Sequence, residues 1–131
     1  MCQVGEGSDE LFWGYPDWKL QLRLQHANRW PVPRVLKRLG LAGLRAFGRD
    51  EKRDYEWLRR GVAGQPVFWG GAEGMPDILK HRVLSERLRE RFAGRTSWDA
   101  LLPIRQRFEQ RAADPSALHW MTYLDLSFRL P

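Results

Sequence analysis

A single cysteine, Cys2, stands in 131 residues. It excludes an internal disulfide and fits a reducing compartment. Histidine is scarce as well. His26, His81 and His119 are scattered, without a partner at ligand spacing, which excludes a standard zinc site. No apolar run reaches about 18 residues, so no membrane-spanning helix is expected. A basic stretch followed by an apolar one is missing at the start, so no secretory leader is expected. Together these absences predict a cytoplasmic protein. Internal repeats, low-complexity tracts and obvious linkers are also lacking, which predicts one domain or part of one.

What is present favours a folded core. Hydrophobic residues make up 43% of the chain and aromatics 12%, with seven tryptophans; that content is far from the composition of disordered chains. The net charge is +6, which raises nucleic acid as a partner. Nine basic residues lie between Arg34 and Arg60: Arg34, Lys37, Arg38, Arg45, Arg49, Lys52, Arg53, Arg59 and Arg60. Asp50, Glu51, Asp54 and Glu56 are interleaved with them, and lysine occurs only at positions 19, 37, 52 and 80. The run therefore reads as a solvated helix surface in an arginine-rich chain, and no nucleic acid is expected as a partner; from the lack of a spanning run, no membrane is expected either.

The most informative stretch is Gly5-Glu6-Gly7-Ser8-Asp9-Glu10-Leu11-Phe12. Its glycines let the backbone pass close to a ligand, and Ser8 or Asp9 can cap a following helix. Met1–Val4 suits the end of a strand. In α/β folds ligands bind beyond the carboxyl ends of strands. Glu6, Asp9 and Glu10 supply the oxygens that a hard cation such as Mg²⁺ takes, which points to phosphate chemistry. The competing reading is an acidic loop that caps a helix. Ser8 has no histidine near it in sequence, so nucleophilic serine chemistry is not expected.

The string Val4 to Phe12, continued by Gly14-Tyr15, resembles the SGEGSDELFxGY segment of asparagine synthetases. Two later stretches, Pro66-Val67-Phe68-Trp69-Gly70-Gly71 and Tyr123-Leu124-Asp125-Leu126 through Leu130-Pro131, resemble later parts of the same synthetase domain. The resemblance implies ATP-dependent amidation of aspartate or a related carboxylate through an acyl-adenylate, with Mg²⁺ and glutamine-derived ammonia. Gly5 stands where the family's backbone approaches ATP. Val4 replaces the usual serine there and brings no hydroxyl. Glu6 matches the carboxylate that serves the adenylate, and Asp9, with Ser8 beside it, matches the acid that holds Mg²⁺ and pyrophosphate. Trp13 replaces the glycine common in LFGGY, which hints at a branch acting on another carboxylate, as in polysaccharide or secondary metabolism. The SGGxDS-type phosphate loop, the glutaminase cysteine and the family's lysine segment do not occur in these residues. Residues 1–131 are therefore expected to be an internal part of a longer synthetase, inactive alone, whose partners are the rest of that protein, its small-molecule substrates and, in the parent, a second copy. The reading from another class is a non-catalytic basic helical binding module.

The expected fold is mainly α, with six or seven helices and at most one short N-terminal strand, as a piece of an α/β ATP pyrophosphatase domain. Asp17–Trp30 is two-sided: Trp18, Leu20, Leu22 and Leu24 alternate as in a strand, while the pairs Trp18/Leu22 and Leu20/Leu24 suit a helix. The family resemblance favours the helix. Helices are also expected over Arg34–Phe47 and Lys52–Val62. Phe68-Trp69 should plug into a core. Asp77 should cap one helix running to Phe92 and ended by Gly94. Pro103 should break or kink a segment opened by Ser97, with Ile104 and Phe108 inward. Asp114-Pro115 should start a deeply buried last helix carrying Leu118, Met121, Tyr123, Leu124 and Phe128.

Overall fold

A computed structural model of the chain describes residues 8–71, 73 and 75–129. These residues form eight α-helices and no strand. The mainly helical class expected from the sequence holds. The expected strand end at Met1–Val4 lies outside the described residues.

The ambiguous segment is a helix, α2, Pro16–Arg29. Pro16 pre-sets the first turn, Asp17 and Arg29 suit the two ends of the helix dipole, and Pro31 forces Trp30 into an extended backbone, ψ 144°. The apparent alternation dissolves on burial, because Trp18 is 3% exposed and Leu20 is 47% exposed. Only the Trp18/Leu22 row enters the core.

The last helix, α8, Ala117–Phe128, is the hub: α1 (Ser8–Phe12), α2 and α7 (Ser97–Arg111) all pack on it. Its Trp120, Met121 and Leu124 join Trp18, Phe68 and Phe108 in the core, with Ile104 and Tyr123 packed against it. Phe68 enters from the loop after α4, and its carbonyl accepts the Trp120 Nε1–H bond at 3.0 Å. Trp69 is buried beside it and stacks on Trp98. On the other side of α2 lies α4, Arg53–Val62, and α3, Arg34–Ala46, packs on α4.

Four local expectations are corrected. Asp77–Phe92 is not one helix. A 3-10 turn at Asp77–Leu79 leads into α5, Lys80–Val83; Leu84 turns extended, and α6 covers Glu86–Arg91. Asp77 does not cap this segment, because its carboxylate is drawn to Lys80 and the Ser97 amide. Ser85 supplies the new N-terminus, and Arg89 Nε donates to the Leu84 carbonyl freed by the break. Pro103, by contrast, does not interrupt α7. Pro103 and Asp99, whose carbonyl it leaves without a helical donor, are both exposed, while Trp98 and Phe108 tie both halves of the helix to the rest of the described residues. The last helix starts two residues later than expected. Ser116 Oγ accepts the His119 amide, while Asp114 pairs with the His119 ring at 3.0 Å. Its burial also fades toward the end, where Phe128 is 58% exposed.

The fourth correction concerns the basic run. Most of it is surface, but Arg60 is fully buried. Its Nε donates to Glu56 Oε1 at 3.0 Å and its Nη1 to the Val67 carbonyl at 2.8 Å; Glu73 closes the network, and the guanidinium lies 3.7 Å from the Trp69 ring centre. This arginine clamps the Phe68-Trp69 loop to α4.

Candidate functional site

Of the residues singled out in the acidic segment, Val4, Gly5 and Glu6 lie outside the described residues. Ser8 and Asp9 stand inside the first turn of α1, not ahead of it as caps. Both are exposed, whereas Glu10 is 2% exposed. The adjacent acids therefore have opposite roles. Asp9 faces water and Glu10 faces the protein.

The turn after α1 explains two residues of the motif. Gly14 donates its amide to the Asp9 carbonyl at 2.9 Å. A Cβ on Gly14 would collide with the Asp9 carboxylate, so glycine leaves that carboxylate its place. Trp13 has φ +57°, the left-handed region that favours glycine. Its indole N–H donates to Thr122 Oγ1 of α8 at 3.0 Å.

Glu10 is held by two groups. The Tyr15 hydroxyl donates to Glu10 Oε1, and Arg129 Nη1 approaches the same oxygen at 3.7 Å. The Tyr15 bond chiefly, and Arg129 in addition, hold the Glu10 carboxyl below the usual range against its burial. The same bond pushes the Tyr15 hydroxyl up. The Arg129 guanidinium lies over the Tyr15 ring at 4.5 Å and reaches Asp125 Oδ2 at 3.4 Å. Asp125, 1% exposed, accepts the Gly71 amide on its other oxygen at 2.7 Å. Burial pushes the Asp125 carboxyl up, and the Gly71 amide and Arg129 offset this only in part.

Three stretches far apart in sequence thus meet in space. Ser8–Tyr15, Gly70-Gly71 and Tyr123–Leu126 are joined through Glu10, Arg129 and Asp125. A polar cleft of about 120 Å³ opens beside this junction, bordered by Tyr15, Arg60, Gly71, Glu73 and Arg129. A wider, more apolar groove of about 460 Å³ lies against Leu101, Ile104, Leu124, Asp125 and Phe128. Sequence reading marked the Tyr15 and Asp125 segments but gave neither residue a role. Arg129 also falls within the marked Tyr123–Pro131 stretch without a role, because its function in the junction depends on where α8 ends.

As a ligand for Mg²⁺, Asp9 offers hard, exposed carboxylate oxygens, which fits that ion. Glu10 does not, since its carboxylate is committed to Tyr15 and Arg129. Among the described residues no group of three or more histidine, cysteine, aspartate or glutamate side chains is placed to hold a metal. Any cation at Asp9 therefore needs oxygens from elsewhere, such as phosphate.

The sequence pattern of the asparagine synthase family matches residues 1–131, the whole length of the chain. The chain belongs to that family, and so to a class of ATP-dependent amidotransferases. No curated protein and no solved structure is similar enough to match it.

Proposed function

We propose that the chain is part of a cytoplasmic, glutamine-dependent synthetase that amidates aspartate or a related carboxylic acid, using ATP and Mg²⁺. In this reaction a carboxylate oxygen of the acid attacks the α-phosphorus of ATP and pyrophosphate leaves. Ammonia derived from glutamine then attacks the acyl carbon of the adenylate and AMP departs. Bound Mg²⁺ would neutralise charge on the pyrophosphate. Asp9, with Ser8 beside it, would hold that ion. Gly5 would let the backbone approach the nucleotide, with Val4 contributing no hydroxyl. Glu6 would accept a proton from, or orient, the attacking amine. Gly14, without a Cβ, leaves room for the Asp9 carboxylate, and the Glu10–Tyr15 bond closes the turn after α1. The partners are the small-molecule substrates and the rest of the synthetase.

The observation that carries this reading is the division of labour within the acidic segment. Glu10 is buried and paired, while Asp9 is exposed and free for chemistry. The test uses the intact parent enzyme. Asp9→Asn should slow pyrophosphate release by about 10²–10³, the usual cost of one lost transition-state contact. Glu6→Gln should keep more ATP binding but lose amide formation. Asp9→Asn should melt within a degree or two of the parent, because Asp9 is exposed and exposed substitutions usually cost under about 0.5 kcal/mol. Near-normal rates in both variants would return the two acids to the role of helix-start residues.

A further inference from the structure

Residues 18–49 contain no aspartate or glutamate, yet they include Lys19, Arg23, Arg29, Arg34, Arg38 and Arg45. At the centre of this stretch is α3, and none of its side chains is buried. Val35 is 66% exposed, Leu39 61%, and Phe47, just past the helix end, 84%. With a turn of about 3.6 residues, Val35, Leu39, Ala42 and Ala46 share one face, with Leu36 and Phe47 beside it. Gly40 lies on the other side and faces Leu58 of α4. The apolar face therefore points away from α4. Arg34, Arg38 and Arg45 form a row along its flank. Arg34 and Arg38 have no ion pair among the described residues, and Arg45 has only a loose one, 3.9 Å from Asp50.

We propose that α3 docks on an anionic lipid bilayer, lying in the headgroup plane with its apolar face down and its arginines among the phosphates. Exposed bulky apolar residues beside a row of cations are what such a surface takes up, and the cytoplasmic leaflet supplies the negative charge. Trp30, 70% exposed in the link before α3, suits the headgroup level. Nucleic acid would pair the arginines but leave Val35, Leu36, Leu39 and Phe47 in water. A second copy of the same face would bring like charges together. The expectation of no membrane partner rested on the lack of a spanning run. No helix among the described residues is long and apolar enough to cross a membrane, but lying on a surface does not require one. The inference stands apart from the amidation chemistry.

Flotation of the intact parent synthetase with vesicles tests it, and failure of the parent to float while residues 1–131 alone do so would assign the face to the rest of the synthetase and overturn the proposal. The protein should float with phosphatidylcholine vesicles containing phosphatidylglycerol and remain behind with phosphatidylcholine alone. Arg34→Gln with Arg38→Gln should lower partitioning about thirtyfold. Val35→Ser with Leu39→Ser should lower it about tenfold or more. All four positions are exposed, so unchanged melting temperatures and helical circular dichroism will show that the variants fold. Failure to float with anionic vesicles would overturn the proposal. So would floating that is indifferent to the serine pair. Tight binding to a duplex oligonucleotide in physiological salt, without vesicle binding, would assign the surface to nucleic acid. Self-association abolished by the serine pair, without vesicle binding, would assign it to a dimer.

Discussion

The Tyr15 hydroxyl donates a 2.5 Å hydrogen bond to Glu10 Oε1, five residues back along the chain. This bond closes the turn between α1 and α2 and satisfies a carboxylate that is 2% exposed. It also fixes a pH dependence. The Glu10 carboxyl is held below its ordinary value of 4.5, first by Tyr15. A depressed carboxyl adds stability above its unfolded value and loses it as pH falls through the folded one. The Tyr15 hydroxyl is raised above 10.0 by the same bond, so its contribution is present below that value and fades as pH rises through the raised one. Tyr15→Phe should therefore melt at lower temperature near neutral pH, and its gap from the parent should narrow at both pH extremes. Melting curves across pH read this directly. A gap independent of pH would mean that the loss is one of packing.

Gly71 and Asp125 give a second, steric expectation. A Cβ at Gly71 would collide with Asp125 Oδ2 and Arg129 Nη1. Gly71→Ala should destabilise by about 1–3 kcal/mol, the usual cost of overpacking, seen as a lower urea midpoint.

Asp125→Asn should behave differently. Burial raises the Asp125 carboxyl, so its contribution to stability is present below the unfolded value and is lost as pH rises through the folded one. The amide cannot ionise and still accepts the Gly71 N–H. Relative to the parent, the variant should gain stability as pH rises out of the acid range. A relative loss on raising pH would show that the Arg129 pairing dominates instead.

Arg60 is a costly position to truncate. Truncation to alanine leaves Glu56, 1% exposed, with Arg59 as its remaining partner at 2.8 Å, and frees the Val67 carbonyl. The expected loss is about 3–5 kcal/mol in urea unfolding, as for other broken buried pairs. Combining Arg60→Met with Glu56→Gln should recover part of it, because the orphaned charge is removed.

Trp13 separates strain from contact. Its φ of +57° costs a non-glycine residue about 1–2 kcal/mol. Trp13→Gly relieves that cost but gives up the bond to Thr122 and should be close to neutral. Trp13→Ala gives up the bond and keeps the strain. The glycine variant should therefore exceed the alanine variant by about 1 kcal/mol, and equal stabilities would remove backbone strain from the account.

The sequence by itself determined the family, through one motif, and the mainly helical class, through apolar pairs such as Trp18/Leu22 and Ile104/Phe108 and through Asp114-Pro115 as a start signal. These signals are local: they depend on residues within one or two turns. Tertiary structure decided what locality cannot reach. It made Glu10 a buried anchor and left Asp9 in water, although neighbouring acids look alike in sequence. It turned Trp18 inward and Leu20 outward, let Pro103 stay inside a helix held by Trp98 and Phe108, and split the Asp77–Phe92 segment at Leu84. It also buried Arg60 within a run of surface cations. For the buried charges the deciding partners, Tyr15 for Glu10 and Glu73 and Trp69 for Arg60, lie across a turn or in another element, where the cost of an unpaired buried group is settled.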